Sequence, residues 1–155
     1  MFIEQTLSPS RRSNAWSVQI KDKFPKLYVT EITNDALIFK PEQDNGFVEY
    51  KRTLTDCTEL KATKYATQMQ WRITENVKNQ CATYYIGIDD DGTIVGLTEI
   101  EIMDCVERFV LIAESINASI IGIQIIHVKE LLIVRIGVKI KKIKDNYLIE
   151  FGDKF

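Results

Sequence analysis

The stretch "ATYYIGIDDDGTIVGL", Ala82 to Leu97, decides how the chain folds. Two strand-like runs, "YYIGI" and "TIVGL", flank three consecutive aspartates and a glycine. Such residues tolerate left-handed backbone, so the pattern predicts a hairpin with its turn at "DDDG". Asp90, Asp91 and Gly92 are assigned to turn formation, because the run lacks the distal Glu of an EF-hand loop. The same residue types can also hold a ligand by their carboxylates, and what accompanies the turn has to choose.

Helical patterns stand on both sides of it. From Thr58 to Val77, Ala62, Ala66, Met69, Ile73 and Val77 recur every three or four residues, which predicts a helix with one buried face. Lys61, Lys64, Gln68 and Arg72 form a mostly basic stripe beside that face. A solvated surface and a phosphate-contacting surface both fit this stripe. After the turn, Thr98 with Glu101 three residues later is a reciprocal capping box. It opens a second helix whose buried face runs through Met103, Val106, Val110, Ala113 and Ile116, with Asn117 closing it.

Further out, "KLYVTEI" and "ALIFK" have strand composition with "TND" between them and predict a hairpin. "PEQDNG" is a loop, and "FVEYKRTL" a strand in which Val48 and Tyr50 share one face while Phe47, Glu49 and Lys51 share the other. In "ELLIVRIGVKIKKIK", Leu132, Val134, Ile136, Val138 and Ile140 alternate with a face that becomes basic at Lys139 and Lys141. "LLIVRIGV" is expected at a sheet edge, open to pairing with another chain. The expected class is α+β: a mostly antiparallel sheet with two main helices packed on it. Residues 1–14 read as a flexible N-terminal segment and 15–155 as a single domain, with no internal repeat and no interior linker.

The 155 residues are 45% hydrophobic and 27% charged, ordinary for one globular domain with a real core. A formal net charge of -2 excludes a globally basic nucleic-acid binder, so any such binding needs a local patch. Cys57, Cys81 and Cys105 form no C-x-x-C pair and His127 is the only histidine, so no zinc site is readable. A reducing compartment, cytoplasmic or nuclear, is expected, with no membrane association, since no apolar run reaches spanning length. His127 lies within an apolar strand and is expected to be a packed or edge residue, not a catalytic base. Tyr65 and Trp71 are expected in the core or at a contact with a second lobe.

"VEYK", a helix, and then "GIDDDGTIVGL" resemble the Schlafen-like (AlbA-type) domain, whose pattern is an acidic residue, E-[FY]-K, a helix, and G-[IV]-D-D-x-G-x-[IV]-x-G. "VEYKRTL", "TQMQWR", "YYIGIDDDGTIVGL" and "AESINASI" are similar to the N-terminal domain of the GTP-binding protein 1/2 family of elongation-factor-like GTPases. No P-loop G-x-x-x-x-G-K-[ST] occurs here, so no bound nucleotide is expected. The Schlafen-like resemblance implies three catalytic carboxylates, carried over as Asp44, Glu49 and Asp89; the first is Asp where the pattern has Glu. Such a set suits Mg or Mn and metal-assisted phosphodiester cleavage. Glu49 and Asp89 are expected at strand ends facing a groove, outside the core.

Two functions follow as expectations. One is an RNA-binding subunit that cleaves tRNA or another small RNA once a second lobe completes its trough. Its phosphate contacts would come from Lys51, Arg52, Lys61, Lys64 and Arg72, with Lys139, Lys141 and Lys142 as a second patch. The other is a non-catalytic interaction domain in a complex with another Schlafen-like or GTPase chain, or in a homodimer.

Overall fold

The computed structural model describes residues 15–141. Helix α1 (Trp16–Lys23) precedes strand β1 (Val29–Thr33) and strand β2 (Val48–Lys51). Helix α2 (Glu59–Glu75) leads to strand β3 (Cys81–Ile86), and helix α3 (Glu99–Ser115) to strands β4 (Ala118–Val128) and β5 (Leu131–Ile140). The strands form one sheet in the order β1-β4-β5-β3-β2. The class is α+β as expected, but the sheet is mixed and not mostly antiparallel: β5 runs antiparallel to both neighbours, while β1–β4 and β2–β3 are parallel. Helix α2 spans the link between β2 and β3, and a parallel pair needs a crossover of that kind.

Both helix starts sit where their caps place them. The Thr58 side chain accepts from the Lys61 N–H at 3.2 Å. Thr98 Oγ1 accepts from Glu101 N–H while Glu101 Oε1 accepts from Thr98 N–H at 2.9 Å, which closes the capping box. That backbone N–H, outweighing partial burial, holds the Glu101 carboxyl below its ordinary range. Helix α3 buries Ile102, Cys105, Val106, Phe109, Ile112 and Ala113, a stripe turned slightly from the predicted one, so Met103 and Val110 are only partly covered. Asn117 follows its end with φ +58°, the left-handed geometry that lets a helix terminate. Val77 lies beyond the end of α2 and is exposed.

The main core lies between the helices and one sheet face. On the other face a smaller cluster joins Tyr50, Ile88, Ile126, Val128 and Ile133 to Leu37, Phe39, Tyr85 and Ile94. The predicted hairpin of "KLYVTEI" with "ALIFK" does not form. Its first half is β1, parallel to β4 at the far edge, and its second half is a non-strand segment whose Leu37 and Phe39 cover the second face. "LLIVRIGV" is not an edge: β5 lies in the middle of the sheet, hydrogen-bonded on both sides. Alternation reports which side chains share a face and carries no information on which strand lies alongside.

The opening stretch also reverses more tightly than a two-strand hairpin. Only Ile88 and Ile94 form a bridge, and the Val95 and Gly96 N–H groups both donate to Gly87 O. Asp91 Oδ1 accepts from Thr93 N–H at 2.9 Å, and Asp90 O accepts from Glu42 N–H at 2.7 Å. These aspartates therefore shape the turn and tie it to the loop before β2. Gly92 is at φ +93°, and a Cβ there would stand 2.5 Å from Phe39 O. Gly46, at φ +92°, has nothing within 4 Å of such a Cβ. Gly92→Ala is expected to lower the melting temperature clearly more than Gly46→Ala, which carries only a left-handed penalty of about 1 kcal/mol. Equal losses in thermal denaturation would refute the close packing of the turn on residues 39–40.

Candidate functional site

A cleft of about 590 Å³ opens between α2 and the loop before β2, lined by Glu42, Asp44, Glu49, Trp71, Arg72 and Glu75 among others. Arg72 sits at its base, only 8% exposed. Its Nε donates to Glu49 Oε1 at 2.8 Å, Nη1 to Gly46 O at 2.9 Å, and Nη2 to Gln43 O at 3.0 Å. A longer contact reaches Asp44 O at 3.4 Å. The guanidinium thus binds a strand carboxylate and the carbonyls of the neighbouring loop at once, a use suited to its planar fork of donors.

Glu49 is 7% exposed and engaged on both oxygens. Its Oε2 meets Lys51 Nζ at 3.1 Å. Lys51 also donates to Gln68 at 2.8 Å and stands 4.2 Å from the centre of the Tyr65 ring, a cation–π contact. Glu42 accepts from Tyr50 N–H at 2.6 Å, which covers a donor on the edge strand β2. Burial pushes the Glu42 carboxyl above its ordinary value, helped by the charges of Glu49 and Asp90 and opposed by the Tyr50 bond. Glu75 accepts from Gly46 N–H at 3.3 Å and fastens the same loop to the end of α2.

The three expected catalytic carboxylates are not brought together as a set. Asp44 and Glu49 line the cleft, but Asp44 is on its exposed rim and Glu49 at its base. Asp89 lies outside it, half-exposed, 3.9 Å from Arg52. Among the described residues no three His, Cys, Asp or Glu side chains are grouped so that they could hold a metal ion. With Glu49 answered by two cations, this arrangement does not fit Mg or Mn. Glu49 lines this cleft from its base, buried and paired there instead of standing free at a strand end.

The basic residues are dispersed. Arg72 is internal, Lys51 is committed to Glu49 and Gln68, and Lys61 pairs with Asp56 at 2.8 Å. Arg52, Lys64, Lys139 and Lys141 are exposed, and Lys142 lies outside the described residues. His127 is partly exposed, with Nε2 bonded to Glu31. Tyr65 is partly buried against the core, whereas Trp71 is 71% exposed at the cleft mouth. Sequence reading overlooked Glu42 and Glu75. Their signal was available in the acidic loop "PEQDNG" and at a helix end, but neither lies on a periodic face.

The site is therefore a charge-paired clamp in a small α+β domain. The chain belongs to the same family as the "Uncharacterized protein R625" of Acanthamoeba polyphaga mimivirus, at 51% identity over 136 residues, 88% of this chain and 73% of that one. GTP-binding protein 2 of mouse and of human is 33% identical over 87 residues, covering 56% of this chain and 14% of theirs. This supports a relation to that protein over part of the chain. No protein-family profile and no solved structure matches. Among the described residues no helix is long and apolar enough to cross a membrane.

Removing one member of a buried pair costs about 3–5 kcal/mol when the other charge is left without a partner. Here Lys51 still meets Glu49 when Arg72 is lost, and Glu42 still lies 3.8 Å from Arg72 when Glu49 is lost. Arg72→Met and Glu49→Leu are therefore each expected to destabilise by less than that, and the double variant by less than their sum. Additive losses in a urea-denaturation cycle would show that the two side chains do not act as a pair. For Glu42 the folded-state value is raised, so burial of its charge opposes folding above that value and ceases to do so as pH falls through it. Glu42→Gln, which keeps the acceptor for Tyr50, is expected to raise the melting temperature at neutral pH. The gain should shrink on acidification; a gain that grows instead would contradict the assigned environment.

Proposed function

We propose that this chain is a non-catalytic interaction domain whose docking face is the cleft between α2 and the loop before β2. The observation that carries this reading is the double engagement of Glu49 by Arg72 and Lys51. The carboxylate that the Schlafen-like resemblance would make catalytic here serves to hold a loop. The loop in turn presents Asp44 beside an exposed Trp71. An exposed tryptophan at a cleft is the kind of residue that anchors an interface. Glu42, Asp44 and Glu75 make the rim acidic, which suits a partner surface carrying Lys or Arg and disfavours self-pairing of two such clefts.

The likeness to GTP-binding protein 2 supports the same class of role, since the matching segment there is a small part of a longer protein named for binding GTP. The partner proposed is thus another protein chain of that GTPase type. The reading includes the cytoplasmic or nuclear location expected from the sequence. The rival reading, metal-dependent cleavage of tRNA or another small RNA, draws on Asp44 and Glu49 lining one cleft.

The test has two arms. Labelled tRNA with manganese is expected to stay intact in the presence of the protein. Cleavage lost in Asp44→Asn and Asp89→Asn, which spare the buried pair, would overturn the proposal. In a Trp16→Phe background, where Trp71 is the remaining tryptophan, its emission should respond to a Lys-rich peptide and not to a Glu-rich one of equal length. No response to either would remove the docking assignment.

A further inference from the structure

Among the described residues, the cluster around Phe39 and Tyr85 covers one part of the second sheet face, away from α2 and α3. Beyond Tyr85 that face opens into a groove of about 440 Å³ lined by Tyr28, Thr30, Thr83, Gln124, Arg135 and two glycines, with others. We propose that this groove binds single-stranded RNA, with Tyr28 stacking on a base and Arg135 and Lys139 meeting the phosphates.

The floor comes first. Gly122 of β4 and Gly137 of β5 are register partners, and Thr83 of β3 pairs with Gly137, so a strip across three strands carries almost no side-chain bulk. Neither glycine is needed for backbone conformation: both have ordinary φ, and a Cβ at Gly122 would meet Tyr28 at 3.4 Å, an ordinary contact. What their absence of side chains provides is a flat surface beside the Tyr28 ring, which is 68% exposed. A β-bulge at Ile120/Gly122 turns Ile121 onto the same face, where it forms the opposite wall against Gly137. A bare floor between a phenol ring and an aliphatic side chain suits a planar base.

Charge points the same way. On this face the strands contribute Thr30 and Ile32 from β1, Gln124 and Ile126 from β4, Arg135 and Lys139 from β5, Cys81 and Thr83 from β3, and Val48 and Tyr50 from β2. Among the described residues no carboxylate lines the groove. Arg135 and Lys139 have no ion-pair partner among the described residues, in a chain of net charge -2. Thr30, Thr83 and Gln124 add neutral donors and acceptors of the kind that meet a ribose 2′-hydroxyl. An acidic peptide would find the cations but no use for the flat floor. The groove lies on the opposite side of the sheet from the Glu49–Arg72 clamp, so this proposal does not depend on the docking assignment.

The test is fluorescence anisotropy of the whole chain with an oligouridine of about 12 nucleotides, a length within the usual single-strand site range. Binding is expected at roughly 50 mM salt and should fall steeply by roughly 200 mM. Arg135→Glu should weaken it by about tenfold or more, and Tyr28→Ala by a similar factor through lost stacking. Gly137→Ala fills the floor without a clash and should weaken binding while leaving the melting curve in place. Trp71→Ala, on the other side of the sheet, should leave this RNA binding as it is, whatever it does to the cleft. No binding at low salt would overturn the proposal, as would binding indifferent to Arg135→Glu and Tyr28→Ala. Equal displacement by polyglutamate would also overturn it, since charge alone would then account for the contact. A deoxyuridine strand of the same length that binds as tightly would remove the assignment to RNA.

Discussion

The buried pair of Glu49 and Arg72 is the contact on which the architecture of one end of the domain turns. Glu49 belongs to an edge strand of four residues, and Arg72 to the helix that links it to β3. A short edge strand paired on one side has little to hold it. Arg72 supplies the rest by binding the strand through Glu49 and the preceding loop through its carbonyls. Such a pair contributes less net stability than its short distances suggest, because both charges are desolvated. Its worth is geometric: the carbonyls to which Arg72 donates can be satisfied together only with the loop in one conformation.

The same loop is held from its other side by backbone. Glu42 donates its N–H to Asp90 O and accepts Tyr50 N–H on its carboxylate, so the turn at residues 89–92, the loop and β2 are locked in sequence. Gly92 is needed because the turn packs directly on the carbonyls of Phe39 and Lys40. This answers the question raised by the run of aspartates. Asp90 contributes through its main chain, Asp91 through a side-chain bond to Thr93 N–H, and Asp89 through its N–H and carbonyl, bonded to Thr93 and Gly92, while its side chain lies near Arg52.

Much of this was legible in the sequence where a local rule applied. The capping box at Thr98, the alternation through β5 and the turn chemistry of "DDDG" each depend on neighbours in the chain. Strand pairing does not, which is why a parallel β1–β4 contact was read as a local hairpin and a central strand as an edge. Arg72 failed for a related reason. On a helical wheel it belongs with Lys61 and Lys64, one step from the apolar stripe, and only the acidic strand alongside decides that it turns inward. Trp71 falls off the line through Ala62, Ala66, Met69 and Ile73, and of its two expected places, the core and a contact with a second lobe, its 71% exposure excludes the core.

The two sides of the sheet divide the charge of a nearly neutral chain. On the helical side, Glu42, Asp44 and Glu75 surround a cleft whose cation is already spent on Glu49. On the other, Arg135 and Lys139 stand on a face to which none of the five described strands contributes a carboxylate. Net charge of -2 hides this, since it sums two fields that a partner would meet separately. β5 is what keeps them apart: as a central strand it sends Val134, Ile136 and Val138 into the main core and Arg135, Gly137 and Lys139 to the opposite surface. A one-residue slip in its register would bury two cations, so the hydrophobic set that fixes β5 between β3 and β4 also fixes where the positive face can be.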